Sequence, residues 1–460
     1  DYWSIIHIMT RVSFFGAAGE VTGSNFLIET DTDKYIVDCG LFQGRDTISE
    51  LNDDPLAYNP AESSAVIVTH AHLDHIGRLP VLVRNGYRGP IFATEATIEL
   101  STIVLKDALG LAEERSRREG TPQLYEEEDL NRTLRQFQEV DYHKTHRLND
   151  SDQFTLYDAG HILGSASVLL EAGGKKIIFS GDIGHWPSPL LATPESPPVA
   201  DLVVTEATYG GEEHEGSDNR VEVVKKALEW TSQNNGVLLI PAFSIERSQE
   251  LLFLLHELFE KHQLPRMPIF LDSPLAIEAL AVFERHMELY RREVVKDEHG
   301  GHNLFDFGSL ALTPTVEDSK DINDAPHPKV IIAGSGMMAG GRIIHHLKHY
   351  LSRPDTYLLV IGFQAPGTLG SAIIGGAKSV HIHGREVAVR AKIDVAEAFS
   401  GHADNSELMQ WLRKIEMPSG GRLAIVHSEP DRAEKYLSFV KSHLPEANIV
   451  IPKIGSSIEI

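Results

Sequence analysis

In the stretch VIVTHAHLDHIGRLP, Val66 to Pro80, a short apolar run is followed by three histidines and an aspartate within six positions. Their spacing matches neither the period of 2 of a strand nor the period of 3.6 of a helix, so one regular element cannot direct all four to one point. We expect His70 and His72 to point together from a strand end. Asp74 and His75, at the start of a helix, should face a neighbouring site.

These side chains predict a metal centre. Imidazole and carboxylate groups suit zinc, and two zinc ions about 3.5–4 Å apart form a clamp for hydrolysis. The chain has 23 histidines in 460 residues, so chance clustering at this spacing is improbable. The stretch therefore predicts a hydrolase rather than a loop with surface histidines.

Composition describes an ordinary globular chain long enough for two or three domains, with 42% hydrophobic and 23% charged residues. The single cysteine, Cys39, excludes an intramolecular disulfide and a multi-cysteine zinc site. It favours a reducing, cytoplasmic location. The net charge of −24 argues against non-specific adhesion to nucleic acid or to an anionic membrane.

The sequence predicts a protein that is soluble and not exported. No apolar run reaches the roughly 18 residues needed to cross a bilayer, and the first residues do not match a signal peptide. Met9 followed by TRVSFFG is typical of a natural start, so Asp1 to Ile8 are predicted to be a non-native or disordered extension.

The rhythm of apolar runs changes along the chain. Up to about residue 210 they are short, β-branched and separated by turns; after Gly211 they alternate with helical patterns, which predicts a parallel sheet with helices on its faces. Short strands carrying histidines return near the end. We predict a first domain over 9–208, an inserted α/β domain over 209–383 and a return to the first domain over 384–460.

Candidate residues share a position at the carboxyl ends of apolar strands. If these strands belong to packed sheets, their ends form one rim, where residues distant in sequence meet. The residues in this position are Asp38, His70, Asp182, Glu206 and His427.

The motifs taken together identify a family. THAHLDH resembles the HxHxDH signature of the metallo-β-lactamase superfamily, and VDCG, DAGHILGSA and FSGDIG follow in the order of that family's other motifs. The α/β insertion, with TEATYG, FSGHAD and a later strand-end histidine, is similar to the β-CASP branch of RNA-processing nucleases. The resemblance implies an α/β fold: an αββα metallo-β-lactamase sandwich with an inserted Rossmann-like parallel α/β domain.

The resemblance also implies a ligand set for two zinc ions, with manganese as the alternative metal. Asp182 would bridge the two ions, and Asp38 would orient the histidine loop without binding metal. One ion would be held by His70, His72 and His161, and the other by Asp74, His75 and His427.

The implied mechanism is attack on phosphorus by a hydroxide shared between the two zinc ions. His402 resembles the family's proton donor to the leaving oxygen, and Glu206 would hold its ring and favour the imidazolium form. Asp74 and Asp182 complete the predicted catalytic set.

Substrate recognition depends on fewer residues. A histidine at the position of His427 accompanies RNA-cleaving members, so single-stranded RNA in a cleft between the domains is the predicted substrate. Ser335 and Gly336, in the glycine-rich turn GSGMMAGG, and Arg247 are predicted to contact it. Two positions depart from the family pattern: Ser428 replaces a frequent glycine, and Ser371 replaces a frequent basic residue.

The sequence therefore predicts a zinc-dependent ribonuclease. A DNA nuclease of the same branch, a small-molecule metallohydrolase and an inactive RNA-binding scaffold subunit are the alternatives. Internal cleavage and digestion from the 5′ end are both open, and so is a homodimer.

Overall fold

A computed structural model describes residues 10–44, 46–214, 219–260, 266–298, 304–305, 307–362, 364 and 367–460. The predicted extension Asp1 to Ile8 lies outside them. The chain forms two compact units: one contains the residues up to Trp186, Thr193–Glu213 and His402–Ile460, and the other contains Pro187–Ala192 and His214–Gly401. Over the described ranges, no helix is long and apolar enough to span a membrane.

Two mixed sheets form the centre of the first unit. In spatial order, with strands numbered along the chain, the first sheet contains β22 (Ser457–Glu459), β1 (Arg11–Phe14), β2 (Asn25–Glu29), β3 (Lys34–Cys39), β4 (Ala65–Ile67), β5 (Ile91–Ala93) and β6 (Phe137–Glu139). The second contains β21 (Asn448–Val450), β20 (Arg422–Val426), β11 (Leu202–Glu206), β10 (Lys175–Phe179), β9 (Ala166–Ala172), β8 (Gln153–Asp158) and β7 (His146–Arg147).

The apolar faces of these sheets pack against each other, because their strands alternate buried side chains inward. Phe26 of the first sheet and Phe179 of the second have ring centroids 5.5 Å apart. The predicted hairpin between β9 and β10 is confirmed: Gly173 and Gly174 have φ of 57° and 74°, which only glycine adopts readily.

Helices cover the outer faces of both sheets. The helices of this unit are α1 (Asp46–Ser49), α2 (Leu73–Ile76), α3 (Leu79–Arg84), α4 (Glu95–Glu119), α5 (Glu127–Gln136), α13 (Asn405–Leu412) and α14 (Pro430–His443). Helices α2 and α3 contact β3, whereas Leu408 of α13 and Tyr436 of α14 pack with Ile178 of the second sheet. The layers are αββα, as the sequence predicts.

The second unit contains a parallel sheet with its own apolar core. In spatial order its strands are β14 (Leu310–Leu312), β13 (Ile269–Asp272), β15 (Lys329–Ala333), β12 (Val237–Pro241), β16 (Thr356–Val360) and β19 (Lys392–Val395), beside a hairpin of β17 (Ser379–Ile382) and β18 (Arg385–Ala388). Its helices are α6 (Asn219–Gln233), α7 (Arg247–Glu260), α8 (Pro274–Arg285), α9 (Arg292–Glu298), α10 (Val316–Asp321), α11 (Ile343–Tyr350) and α12 (Leu369–Ile374). The predicted inserted parallel α/β fold is confirmed.

The end of this unit differs from the sequence-based boundary. Strand β19 pairs in parallel with β16, so the chain leaves this sheet after Val395, later than the predicted boundary at 383. Strand pairing between distant segments decides which sheet β19 joins, and the pattern of AKIDV alone does not specify that partner.

Candidate metal centre

Parallel pairing brings the predicted residues to one edge of each sheet in the first unit. Strands β3 and β4 are parallel neighbours, as are β10, β11 and β20. Residues at or just beyond their carboxyl ends therefore lie side by side. The residues that reach this edge are Asp38, His70, Asp182, Glu206 and His427.

A first cluster gathers His70, His72, His161 and Asp182. The Nδ1 atom of His72 lies 3.1 Å from Nε2 of His70 and 3.2 Å from Nε2 of His161. Oδ2 of Asp182 lies 3.5 Å from Nε2 of His70 and 3.6 Å from Nε2 of His161. Three ring nitrogens and one carboxylate oxygen thus converge on one small volume.

A second cluster gathers Asp74, His75 and His427. Nε2 of His427 lies 3.4 Å from Nε2 of His75 and 3.3 Å from Oδ2 of Asp74. Oδ1 of Asp182 lies 3.4 Å from Nε2 of His75 and 3.7 Å from Nε2 of His427. The two groups expected from the spacing of the opening stretch therefore form, and each faces a different oxygen of Asp182.

The donor atoms fit divalent metal ions better than they fit one another. One nitrogen of His72 faces two other ring nitrogens, and a single proton can satisfy only one such contact. Among the described residues, Oδ1 of the buried Asp182 has no hydrogen-bond partner. A cation in each cluster would satisfy these atoms, so the arrangement supports a divalent metal centre.

Burial sets the protonation of the first cluster. It lowers the pKa of His70 far below its usual range and that of His72 to about 4, and neighbouring histidine charges add to the effect at both. Burial opposes ionisation of Asp182, yet the charges of His427 and His75 hold its pKa well below the usual range. Neutral rings and an ionised carboxylate are the forms that bind metal.

Asp38 lies behind the histidine loop. Its Oδ1 accepts a hydrogen bond from the Thr69 backbone N–H (2.8 Å), and its Oδ2 accepts one from the Thr69 hydroxyl (2.7 Å). Oδ2 also lies 2.8 Å from Nδ1 of His75, which leaves Nε2 facing the cluster. This geometry supports the predicted orienting role, which stays a prediction.

His402 and Glu206 form a pair beside Asp182. Nδ1 of His402 lies 3.1 Å from Oε2 of Glu206 and 3.9 Å from Oδ2 of Asp182. Burial lowers the pKa of His402, but the charges of Glu206 and Asp182 outweigh it and raise that pKa to about 9. The two carboxylates therefore favour the imidazolium form of the ring.

Thr208 is a residue that sequence reasoning missed. Its hydroxyl donates to Oε2 of Glu206 (2.6 Å) and lies 3.0 Å from Nδ1 of His427. One side chain thus connects the His402–Glu206 pair with a residue of the second cluster. The available signal was its place in TEATYG, two residues after Glu206, where a threonine in a turn can bond back to a carboxylate.

The predicted substrate contacts belong to the second unit. Ser335 donates to the Gly340 carbonyl (3.3 Å) across the turn that contains Gly336. Arg247 is buried and forms an ion pair with Glu250, so its charge is already paired within the unit. Their contacts with substrate stay predictions.

The two departures from the family pattern have local partners. Ser428 is buried, and its hydroxyl donates to the Glu429 carbonyl at 3.2 Å. The Ser371 backbone N–H donates to the Thr368 hydroxyl at 3.2 Å, which caps α12.

Three family models match the chain in succession. Residues 18–200 match the metallo-beta-lactamase superfamily, residues 248–373 the Beta-Casp domain, and residues 386–448 the Zn-dependent metallo-hydrolase RNA specificity domain. The matches follow the order in which the motifs occur.

Relatives match nearly the whole chain. A ribonuclease of Thermus thermophilus is 41% identical over 92% of this chain and 94% of its own length. The transcription termination factor FttA of Methanocaldococcus jannaschii is 31% identical over 96% of this chain and 69% of its own length. A crystal structure of a protein of unknown function from Enterococcus faecalis V583 has a TM-score of 0.57 at 13% identity, covers 98% of this chain and 100% of that one, and shows the fold alone. This chain belongs to the β-CASP branch of the metallo-β-lactamase superfamily.

Proposed function

We propose that this protein is a two-zinc ribonuclease that hydrolyses phosphodiester bonds of single-stranded RNA in RNA processing or decay. One observation carries the proposal: two clusters of candidate metal ligands each face one oxygen of Asp182, and Nδ1 of His402 lies 3.9 Å from the same carboxylate. Hydrolysis of a phosphodiester requires both parts, since the attack needs an activated water and the leaving oxygen needs a proton.

The proposed ligands are those implied by the resemblance. His70, His72 and His161 would hold one zinc ion, Asp74, His75 and His427 the other, and Asp182 would contact both. Histidine nitrogens and carboxylate oxygens suit zinc, although manganese accepts the same carboxylates. When bound, the metal pair lowers the pKa of water and withdraws charge from a phosphoryl oxygen.

The chain's own residues supply the proton. Glu206 holds Nδ1 of His402, which leaves the Nε2 proton for donation to the leaving alkoxide. Glu206 is itself fixed, because its Oε1 accepts from the Ile183 backbone N–H at 2.6 Å and its Oε2 accepts from Thr208. The ring is therefore oriented before substrate binds.

Several findings support RNA as the substrate class. The chain carries a domain that matches an RNA specificity model, and the 41% identical relative is named a ribonuclease. His427 occupies the position at which RNA-cleaving members of the family carry a histidine. A flexible single strand adapts to a confined site more readily than a stiff duplex, which favours single-stranded RNA. A homodimer is a separate proposal that light scattering can test.

A cleavage assay with matched RNA and DNA oligonucleotides tests the proposal. We expect the zinc-loaded protein to cleave the RNA, and His402→Ala to lower the rate by about 10²–10⁴-fold at unchanged zinc content. His443→Ala removes an exposed histidine at the end of α14 and should leave the rate unchanged. RNA left intact by protein with two bound zinc ions would refute the proposal, and cleavage of only the DNA would replace it with a DNA nuclease.

The same gel resolves the mode of cleavage. The cleavage of RNA that carries a 5′-phosphate is compared over time with the cleavage of RNA that carries a 5′-hydroxyl. Mononucleotide products indicate digestion from an end, and fragments of intermediate length indicate internal cleavage.

A further inference from the structure

An aromatic ring is exposed at the carboxyl edge of the sheet in the second unit. Phe243 lies two residues beyond the end of β12, and 36% of its surface is accessible although it lies beside strands whose side chains are buried. Ligands of open parallel sheets bind outside the carboxyl ends of the strands. The position of Phe243 is therefore where a ligand of this sheet is expected.

The ring of Phe243 packs against the backbones of two glycines. A Cβ atom on Gly336, after β15, would lie 2.7 Å from Cδ2 of Phe243, and one on Gly362, after β16, would lie 2.9 Å from Cε2. Both distances are shorter than real Cβ contacts, so the same edge of the ring packs closely against two backbones, and a side chain at either glycine would have to displace the ring. The ring is therefore held on one side by the segments that follow β15 and β16.

Hydrogen bonds hold the segments that contact the Phe243 ring. The buried Gln364 side chain donates from Nε2 to the carbonyl of Gly336 (2.8 Å) and to that of Gly362 (3.0 Å). The Ser248 hydroxyl donates to the Phe243 carbonyl at 2.8 Å, which holds the backbone that carries the ring. An exposed side chain with this much support is preorganised for a partner.

Two hydroxyl groups lie in loops at the same carboxyl edge of the sheet. The hydroxyls of Ser244 and Ser273 are 3.1 Å apart, and both lie just beyond strand ends of the sheet. A flat apolar ring beside hydroxyl groups matches the two parts of a nucleotide. Aromatic side chains stack on any base, because every base has a π face.

We propose that Phe243 is a stacking platform for one nucleobase of the RNA. The inference rests on the proposed function, and it adds a base-binding position to a site whose other predicted contacts are polar. Phe243 positions the RNA strand and takes no part in the chemistry. Stacking of this kind is tolerant of sequence, so we expect little preference for the base identity.

The test measures RNA affinity in the zinc-loaded His402→Ala protein, so that cleavage does not interfere. Fluorescence anisotropy is recorded with a labelled single strand and with a set of strands that each carry one abasic nucleotide. We expect Phe243→Leu to weaken binding by about tenfold and Phe243→Tyr to bind as well as the parent. An abasic nucleotide at one position should weaken RNA binding of the parent by a similar factor. The same strand should bind Phe243→Leu almost as well as the intact strand does.

A matched control is Leu312→Ala, which removes another exposed apolar side chain of the same unit and should not change affinity. Equal affinity of Phe243→Leu and parent across the whole abasic series would overturn the platform. RNA binding and abasic sensitivity in a protein whose wild type fails to cleave RNA would keep the platform and refute the nuclease. Absence of any RNA binding would overturn both.

Discussion

At the scale of single residues, side chains of the centre orient one another before any ion or substrate binds. Thr208 is the clearest case, since one hydroxyl contacts both Glu206 and Nδ1 of His427. The contact at Nδ1 leaves Nε2 of His427 facing His75 and Asp74. Partners of this kind set the orientation and basicity of a metal-binding histidine.

Thr208→Val keeps the shape of the side chain and removes the hydroxyl. We expect zinc affinity at the His427 position to fall by about 10–100-fold, because the ring loses the partner that orients it. Competition with a fluorescent chelator measures the affinity, and Thr208→Ser should restore it. Unchanged affinity for both ions would show that the threonine has no role in the centre.

Glu206→Gln tests the origin of the raised pKa of His402. The ring donates its proton only in the cationic form, so kcat falls as pH rises through the pKa of His402, which the charges of Glu206 and Asp182 raise against the effect of burial. Removing the charge of Glu206 lowers the pKa and moves the alkaline limb of the kcat profile to lower pH. The control is zinc content, which should not change; a limb that stays in place contradicts the role of Glu206.

Most residues of the centre could be predicted from the sequence, because His70 to His75 lie in one short motif and Asp182 and His427 follow apolar strands. Thr208 could not, because its role depends on two partners from different strands. Arg247 shows the opposite limit: its predicted substrate contact stays a prediction, and the sequence alone did not reveal that its charge is paired with Glu250.

At the scale of elements, glycines allow the loops that carry the clusters to touch. A Cβ on Gly184, in FSGDIG, would lie 1.8 Å from the Gly160 carbonyl oxygen, and one on Gly40, in VDCG, would lie 1.6 Å from the Asp74 carbonyl oxygen. The motif glycines therefore set the distance between the loop of Asp182 and the loop of His161, and between β3 and α2.

Gly184→Ala should displace the His161 loop. We expect the free energy of unfolding to fall by about 1–3 kcal/mol, as for other overpacked sites, and zinc affinity to fall as well. Gly110→Ala is the matched control, since a Cβ there meets open space on α4 and should stabilise the helix by up to about 1 kcal/mol. Full zinc affinity in Gly184→Ala would show that the loops do not need this approach.

A buried carboxylate connects β13 with α11 in the second unit. Oδ2 of Asp272 lies 2.6 Å from Nε2 of His346, and Oδ1 accepts a 2.6 Å hydrogen bond from Arg342. Burial alone would raise the pKa of Asp272, but the hydrogen bonds from His346, Ser319 and Arg342 outweigh it and lower that pKa to about 2.

The lowered pKa predicts how stability depends on pH. The contribution of Asp272 is present above the unfolded pKa of about 3.9 and is lost as pH falls through about 2, and it amounts to roughly 2 kcal/mol. Asp272→Asn should therefore lower the Tm at neutral pH, with a difference that shrinks towards pH 2. Asp321→Asn, at an exposed site, should show no such difference. A constant difference at all pH values would contradict the linkage.

Elements were predictable to different degrees. The alternation of apolar and polar residues indicated the strands and the β9–β10 hairpin, and the βα rhythm indicated the parallel sheet. The pairing of β19 with β16 was not predictable, because a short, half-polar strand takes its partner from tertiary contacts.

At the scale of the whole molecule, net charge limits how RNA is bound. A chain of net charge −24 repels a polyanion at long range, so affinity has to come from local groups such as bound cations and stacking surfaces. The metal centre of the first unit and the exposed ring of the second each supply, within their own unit, a contact that the overall charge does not.

Anomalous X-ray diffraction at the zinc absorption edge, on crystals of the zinc-loaded protein, tests the central claim most directly. We predict two peaks per chain, one among His70, His72 and His161 and the other among Asp74, His75 and His427, with Asp182 beside both. A single peak, or zinc bound at other residues, would contradict the two-metal centre on which the proposed ribonuclease depends.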